Sequence, residues 1–552
     1  MNIIRSILIS ALFISGCTSK FQFDIIIKNG TIVDGTGTQR YKADIGIKGD
    51  SISEIGIFRG DLALKVIDAT GMVVTPGFIN MLSWANESLI ADGRSQSDIR
   101  QGVTLEVLGE GESMGPLNNR MKKEMKEAEG DVKYDIAWTT LGQYLQFLEK
   151  KGISPNVASF IGAATPRIYL IGYKNRKPTE EELDSMRLLV RQAMEEGALG
   201  VSSALEYVPA CFATTEELIA LSREAAKYNG MYISHIRDEG DDIFRSLDEV
   251  ITIAKETGIR SEIYHLKQVG VLNWGKIDGV IQKIDSARNQ GLYITADMYN
   301  YIASSTGLDI IMPAWVQEGG MDDWIKRLSD PVIRKRILVD IHKAIMNKTG
   351  SADKVLLIGF NNDTLKYLTG KTLAQIAALR KKSPEETAID LVIQDRSRGS
   401  VVYFSMSEDN VKKQISLPWV TFCSDAGSYA PEGVFLRSST HPRAYGNFAR
   451  LLGKYVRDEK VISLEKAVHK LSGLPAYNLN ISKRGLVKKG YFADLNIFDE
   501  SKISDHATFE NPGQYATGMI HVFVNGIQVL KDGEHTGALP GRFVKGPGWQ
   551  GK

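Results

Sequence analysis

Two short segments carry residue types suited to metal chemistry: Ile233-Ser234-His235-Ile236-Arg237-Asp238-Glu239-Gly240 and Ile263-Tyr264-His265-Leu266-Lys267. Each reads as a β-strand whose last residue is a histidine, with charged residues close behind it. A neutral imidazole nitrogen is a good Zn²⁺ ligand, and a metal site needs ligands fixed on rigid elements. Either histidine alone would pass for an ordinary strand-end residue. Two at matching places in consecutive strand–helix units point to a shared site. A third group stands in Phe422-Cys423-Ser424-Asp425-Ala426-Gly427. An aspartate at a strand end either acts as general base on a water beside a metal or caps the element that follows.

The elements that would position these residues alternate between apolar strands and amphipathic helices, the pattern of a parallel α/β fold. Strands are expected at residues 73–82, 103–108, 156–162, 200–205, 231–235, 261–265, 293–298 and 419–424. Helices are expected at 181–196, 215–227, 248–256 and 277–290. Eight such repeats predict a TIM (β/α)8 barrel over 73–482, whose strand ends all face one side, where its chemistry is done. The stretch 313–417 between the seventh and eighth strands is too long for a loop. Its texture predicts a helical insertion over the active-site face. Residues 21–72 and 483–545 are instead strand-rich, with turn signals at Asn29-Gly30, Gly49-Asp50 and Asn525-Gly526. They predict one small β-sandwich domain built from both termini.

Composition narrows the function classes. Lys+Arg and Asp+Glu number 67 and 66 in 552 residues, so no nucleic-acid or other polyanion partner is expected. Three separated cysteines give no disulfide framework and no CxxC metal cluster. Cys211 and Cys423 are expected to be free thiols. A basic start through Arg5 and an apolar run from Ser6 to Ile14 lead into Ile14-Ser15-Gly16-Cys17. That run is too short for a good membrane span and has the form of a signal peptide ending in a lipobox. Residues 1–17 are therefore read as a lipoprotein signal, with Cys17 as the lipid-modified residue. The protein is expected as an outer-membrane lipoprotein on the periplasmic side of a bacterial membrane.

Further segments give these motifs a family resemblance. They include Ile67-Asp68-Ala69, Val74-Thr75-Pro76-Gly77-Phe78-Ile79, Gly197-Ala198-Leu199-Gly200-Val201-Ser202-Ser203 and Ala296-Asp297-Met298-Tyr299. His441-Pro442-Arg443, Gly473-Leu474-Pro475-Ala476, Asn511-Pro512-Gly513 and Pro540-Gly541-Arg542 add to them. With these the chain resembles the amidohydrolase superfamily, and within it the N-acyl-D-amino-acid deacylase (D-aminoacylase) group. The resemblance implies that His235 and His265 are metal ligands and that Asp425 is the catalytic aspartate. It implies that Lys267 holds a substrate carboxylate, and that Tyr207, Tyr299 and Ser305 contact substrate.

Two departures matter. The superfamily's His-x-His after the first strand is absent: Asn80-Met81-Leu82-Ser83-Trp84 stands there, and neither Leu82 nor Trp84 ligates zinc. The deacylases' cysteine ligand after the second strand is also missing, and Leu108-Gly109-Glu110-Gly111-Glu112 has Gly111 in its place. A carboxylate is an acceptable replacement, from Glu110, which directly follows the strand, or from Glu112. Glu110, His235 and His265 would hold one zinc ion and leave a position for water. The implied activity is a metal-dependent hydrolase that cleaves the linear amide of an N-acyl-D-amino acid with a zinc-activated water, Asp425 serving as general acid and base. The alternatives are a cyclic-amide or dipeptide hydrolase on the same scaffold, or a lipid-anchored binding protein without catalysis.

Overall fold

Buried on both faces, a barrel strand must be apolar or internally satisfied, and Met231–His235 and Ile294–Met298 bury every residue. In the computed structural model, which describes residues 21–551, these strands belong to a closed parallel barrel. Its strands are Phe78–Asn80, Val103–Leu108, Asn156–Ser159 with Ile161–Gly162, Gly200–Ala204, Met231–His235, Arg260–Ile263, Ile294–Met298 and Val420–Phe422. Each pairs in parallel with the next, and the last returns to the first through Met81 N–Phe422 O (3.2 Å) and a parallel bridge between Ser83 and Ala426.

Helices cover the outside. Glu180–Glu195 starts in a capping box between Thr179 and Glu182 and buries Met186, Val190, Ala193 and Met194, spaced for one helical face. Thr215–Ala226, Ile243–Thr257 and Ile277–Asn289 follow the next strands in the same way.

The first strand candidate divides in two. Val73–Pro76 leaves the barrel and pairs with Phe23–Ile32 and Leu495–Phe498, so the barrel begins only at Phe78. The strands of both termini thus form one nine-stranded mixed sheet, folded over a core that includes Ile27, Ile45, Ile47, Val74, Leu495 and Phe523. Asn525-Gly526 is a hairpin turn between Met519–Val524 and Ile527–Lys531, with both residues at positive φ as a two-residue turn requires. Asn29-Gly30 is not a turn. Asn29 takes φ 62° inside the single strand Phe23–Ile32, and the register shifts between Ile27 and Gly30, a bulge that an asparagine in the left-handed region accommodates.

Between the seventh and eighth strands, helices Met321–Ser329, Pro331–Thr349, Leu373–Arg380 and Pro384–Asp395 dominate. A three-stranded antiparallel sheet accompanies them: Ser304–Thr306 pairs with Ser400–Tyr403, which pairs with Val355–Gly359. This unit has a hydrophobic core of its own, around Val316, Trp324, Ile337, Ile341, Leu357 and Val401. Cys211 and Cys423 are free thiols. Cys17 lies outside the described residues, and among those described no helix is long and apolar enough to cross a membrane.

Candidate metal and catalytic centre

Three ligand atoms converge at the C-terminal face of the barrel. Glu110 follows Val103–Leu108, His235 ends Met231–His235, and His265 stands two residues past Arg260–Ile263. Glu110 Oε1 lies 3.2 Å from His235 Nδ1 and 3.0 Å from His265 Nε2, and the two nitrogens are 3.0 Å apart. Tetrahedral bonds of ~2.0–2.1 Å around one Zn²⁺ would put ligand atoms about 3.3 Å from each other, so this triangle is close to one face of such a site. All three residues are buried.

The outer nitrogens complete the fit. His235 Nε2 faces Glu206 Oε2 at 3.2 Å, and His265 Nδ1 lies between Glu239 Oε1 at 3.1 Å and the Lys267 ammonium at 2.7 Å. At His235 the carboxylate on the outer nitrogen fixes the proton there and leaves the inner lone pair for a metal. Burial alone pushes the Glu110 carboxyl up, but hydrogen bonds with His235 and His265 outweigh it and hold it well below the usual carboxylate range. Glu239 is also held low: burial raises it, and Lys267 with the two histidines outweighs that. Burial and Lys267 push His265 down, yet Glu239, Asp425 and Glu110 bring it up to about 10. With neutral histidines, the cavity's lining carboxylates (Glu110, Glu112, Glu206, Glu239, Asp425) outnumber its cations (Lys267, Lys348, Arg398, Arg443) by one. A metal ion entering the triangle would displace the proton that His265 carries.

Two of the site residues bend the backbone out of its ordinary range. His265 has φ 34° and Asp425 φ 48°, in the left-handed region that His and Asp tolerate better than most side chains. The bend lets the His265 amide donate to Asp297 Oδ1 at 2.6 Å. Holding such a residue costs about 1–3 kcal/mol, supplied by the surrounding barrel. Asp425 accepts from the Trp84 indole N–H at Oδ1 (3.1 Å) and forms an ion pair with Arg443 Nη1 at Oδ2 (2.8 Å).

Gly111 explains why the ligand comes from a neighbouring position. It has φ 66°, and a Cβ there would stand 2.4 Å from the Ala204 Cβ, so no cysteine fits. The longer Glu110 side chain reaches the centre instead, while Glu112 lines the cavity outside the triangle.

The cavity holds about 480 Å³ and is also lined by Lys267, Tyr207, Tyr299 and Ser305. Lys267 Nζ is engaged by Glu239 Oε1 (2.6 Å) and by the His265 carbonyl (3.0 Å). The Tyr299 ring carries Arg443 over its face at 4.4 Å, with the Lys267 ammonium 5.6 Å from its centre, and its hydroxyl donates to Met406 Sδ at 3.7 Å. Tyr207 stacks edge-on against His235 at 5.0 Å and accepts from the Thr306 hydroxyl at 3.0 Å. The Ser305 carbonyl accepts from Arg443 at 3.4 Å. Sequence alone did not single out Glu206, Glu239, Lys348 or Arg443, and it treated Trp84 only as a non-ligand. Glu239 and Arg443 were within reach, since both lie in segments already marked: four residues after His235 and in His-Pro-Arg.

The family follows from comparison with known proteins. The amidohydrolase family profile spans residues 65–530, and the chain belongs to this family. D-aminoacylase of Alcaligenes xylosoxydans xylosoxydans is 31% identical over 530 residues, covering 95% of this chain and 97% of the relative. A D-aminoacylase structure described for its binuclear metal center, with one-metal activation and second-metal attenuation, superposes with a TM-score of 0.79 at 30% identity, covering 95% of this chain and all of the other. The N-acyl-D-glutamate deacylase of Bordetella bronchiseptica, complexed with zinc and a phosphonate mimic of the tetrahedral intermediate, gives a TM-score of 0.78 at 28% identity, covering 95% and 99%.

Proposed function

We propose that this protein is a zinc-dependent deacylase that hydrolyses the linear amide of N-acyl-D-amino acids with a single metal ion. The observation that carries the reading is the triangle of Glu110, His235 and His265, with Glu206 behind His235 and the Glu239–Lys267 pair behind His265. When bound, the ion supplies Lewis acidity toward the acyl carbonyl and acidity toward water. Asp425 takes a proton of the attacking water and returns it to the amine nitrogen as the C–N bond breaks, and the second water proton follows it, so one amide and one water give one carboxylate and one ammonium group. Arg443 keeps Asp425 aimed, and Lys267, with Tyr207, Tyr299 and Ser305, lines the part of the cavity suited to a free carboxylate. The preference for the D configuration rests on the relatives, D-aminoacylase among them. A complete ligand set argues against a purely binding protein.

The test combines metal analysis with a panel of N-acyl amino acids of both configurations. One zinc per chain and hydrolysis confined to D substrates are expected. A chain that takes up no metal under zinc supplementation, or that cleaves only cyclic amides, overturns the reading. Cys17 is the proposed lipid attachment point, which would hold the enzyme outside the cytoplasm; the apolar run that leads into it supports this reading. Cys17→Ala is expected to abolish incorporation of a labelled fatty acid and to release the protein from membranes.

A further inference from the structure

Trp84 stands where the superfamily's second histidine ligand is expected, and an indole N–H is a donor only. Its backbone is fixed by the hydrogen bond that its amide N–H donates to the Ala426 carbonyl (3.0 Å), beside the closing bridge of the barrel. From there its one N–H is shared between Glu110 Oε2 and Asp425 Oδ1, each at 3.1 Å. The consequences for the two carboxylates differ. Glu110 has Oε1 in the ligand triangle and Oε2 occupied by Trp84, so it offers a metal one oxygen. Asp425 has Oδ1 on Trp84 and Oδ2 on Arg443, so both of its oxygens are held. Any cation placed between Glu110 and Asp425 would have to displace the indole. Trp84 is 43% exposed and forms part of the cavity wall, so it meets the site and not the core.

We propose that Trp84 takes the place of a second metal ion: its N–H ties the Glu110 ligand to Asp425, keeps Glu110 one-coordinate and Asp425 in register, and confines the centre to one ion. The proposal rests on the zinc-site reading above and adds a positioning residue to it.

Cobalt(II) titration of the purified protein separates the two ideas, because the visible absorption of the bound ion reports its coordination number. The native protein is expected to saturate at one equivalent and stay there in tenfold excess. Trp84→Phe, which keeps a ring and loses the N–H, frees the second Glu110 oxygen. Its cobalt absorption should weaken as coordination number rises, and its metal affinity should fall about tenfold, as for other partners of metal ligands. Trp84→Tyr is the second variant, with native circular dichroism required of both. A native protein that binds two equivalents overturns the proposal, as do variants with unchanged spectrum and affinity, and in both cases the metal site itself stands. A native protein that binds no cobalt overturns the zinc reading and this proposal with it.

Discussion

His235 meets Glu206 through the ring nitrogen that faces away from His265, at 3.2 Å, and Glu206 is itself held by Lys348 at 2.8 Å from the insertion helix Pro331–Thr349. The tautomer of a barrel histidine is thus set partly by a residue of the appended unit. Glu206→Gln and Glu239→Gln are each expected to lower zinc affinity 10- to 100-fold with little change in fold. Competition with a chromophoric chelator measures this, and unchanged affinity in both variants would remove the outer carboxylates from the account.

The ligands themselves should behave more severely. Glu110→Ala, His235→Ala and His265→Ala each leave two ligand atoms of three. Each is expected to lose its stoichiometric zinc on dialysis and to retain less than about a hundredth of native kcat/KM. Glu112→Ala, outside the triangle, should keep its zinc. The reverse ranking would move the ligand to Glu112.

Asp425→Asn preserves shape and removes the base. Its kcat should fall by about 10² to 10⁴ with one zinc retained, the range of general acid–base catalysis. Loss of metal along with activity would instead make Asp425 a ligand.

A pH effect on stability is expected from inside the barrel. Glu262 is fully buried, and burial together with nearby Asp297 pushes its carboxyl from an ordinary 4.5 up to about 8. Between those values the folded protein keeps a proton that the unfolded chain has released. The native state binds more protons, so this group's contribution to stability falls as pH rises through the window. For one group the slope reaches about 1.4 kcal/mol per pH unit. Glu262→Gln should flatten that slope in denaturant melts taken from pH 5 to 8. A slope that survives would point to other carboxyls, such as Glu106, raised by burial to about 7.

Much of this was legible in sequence, for identifiable reasons. Parallel strands buried on both faces leave buried runs such as Met231–His235, and the barrel repeats that signal eight times. Val73–Pro76 misled because strand chemistry says nothing of which sheet a strand joins. One residue, Gly77, separates the two, and a Cβ there would overlap Thr104. Asn29-Gly30 misled because a bulge and a hairpin turn ask for the same residue types. At the site, His235 and His265 announced themselves by residue type. Glu206 and Trp84 did not, because their roles arise only from convergence across distant strands: Trp84 and Asp425 are 341 residues apart and share one hydrogen bond.

The insertion, with its separate hydrophobic core, bears on how this enzyme changes over time. The metal triangle hangs entirely from barrel strands, whereas Ser304–Thr306, Lys348 and Arg398 bring a second, self-supporting body to the same cavity. Lys348 apart, which holds Glu206 behind His235, mutations in that body fall on residues that do not touch the ligands. The scaffold is in this sense modular: the reaction is inherited with the barrel, and the choice of what undergoes it can drift with the appendage.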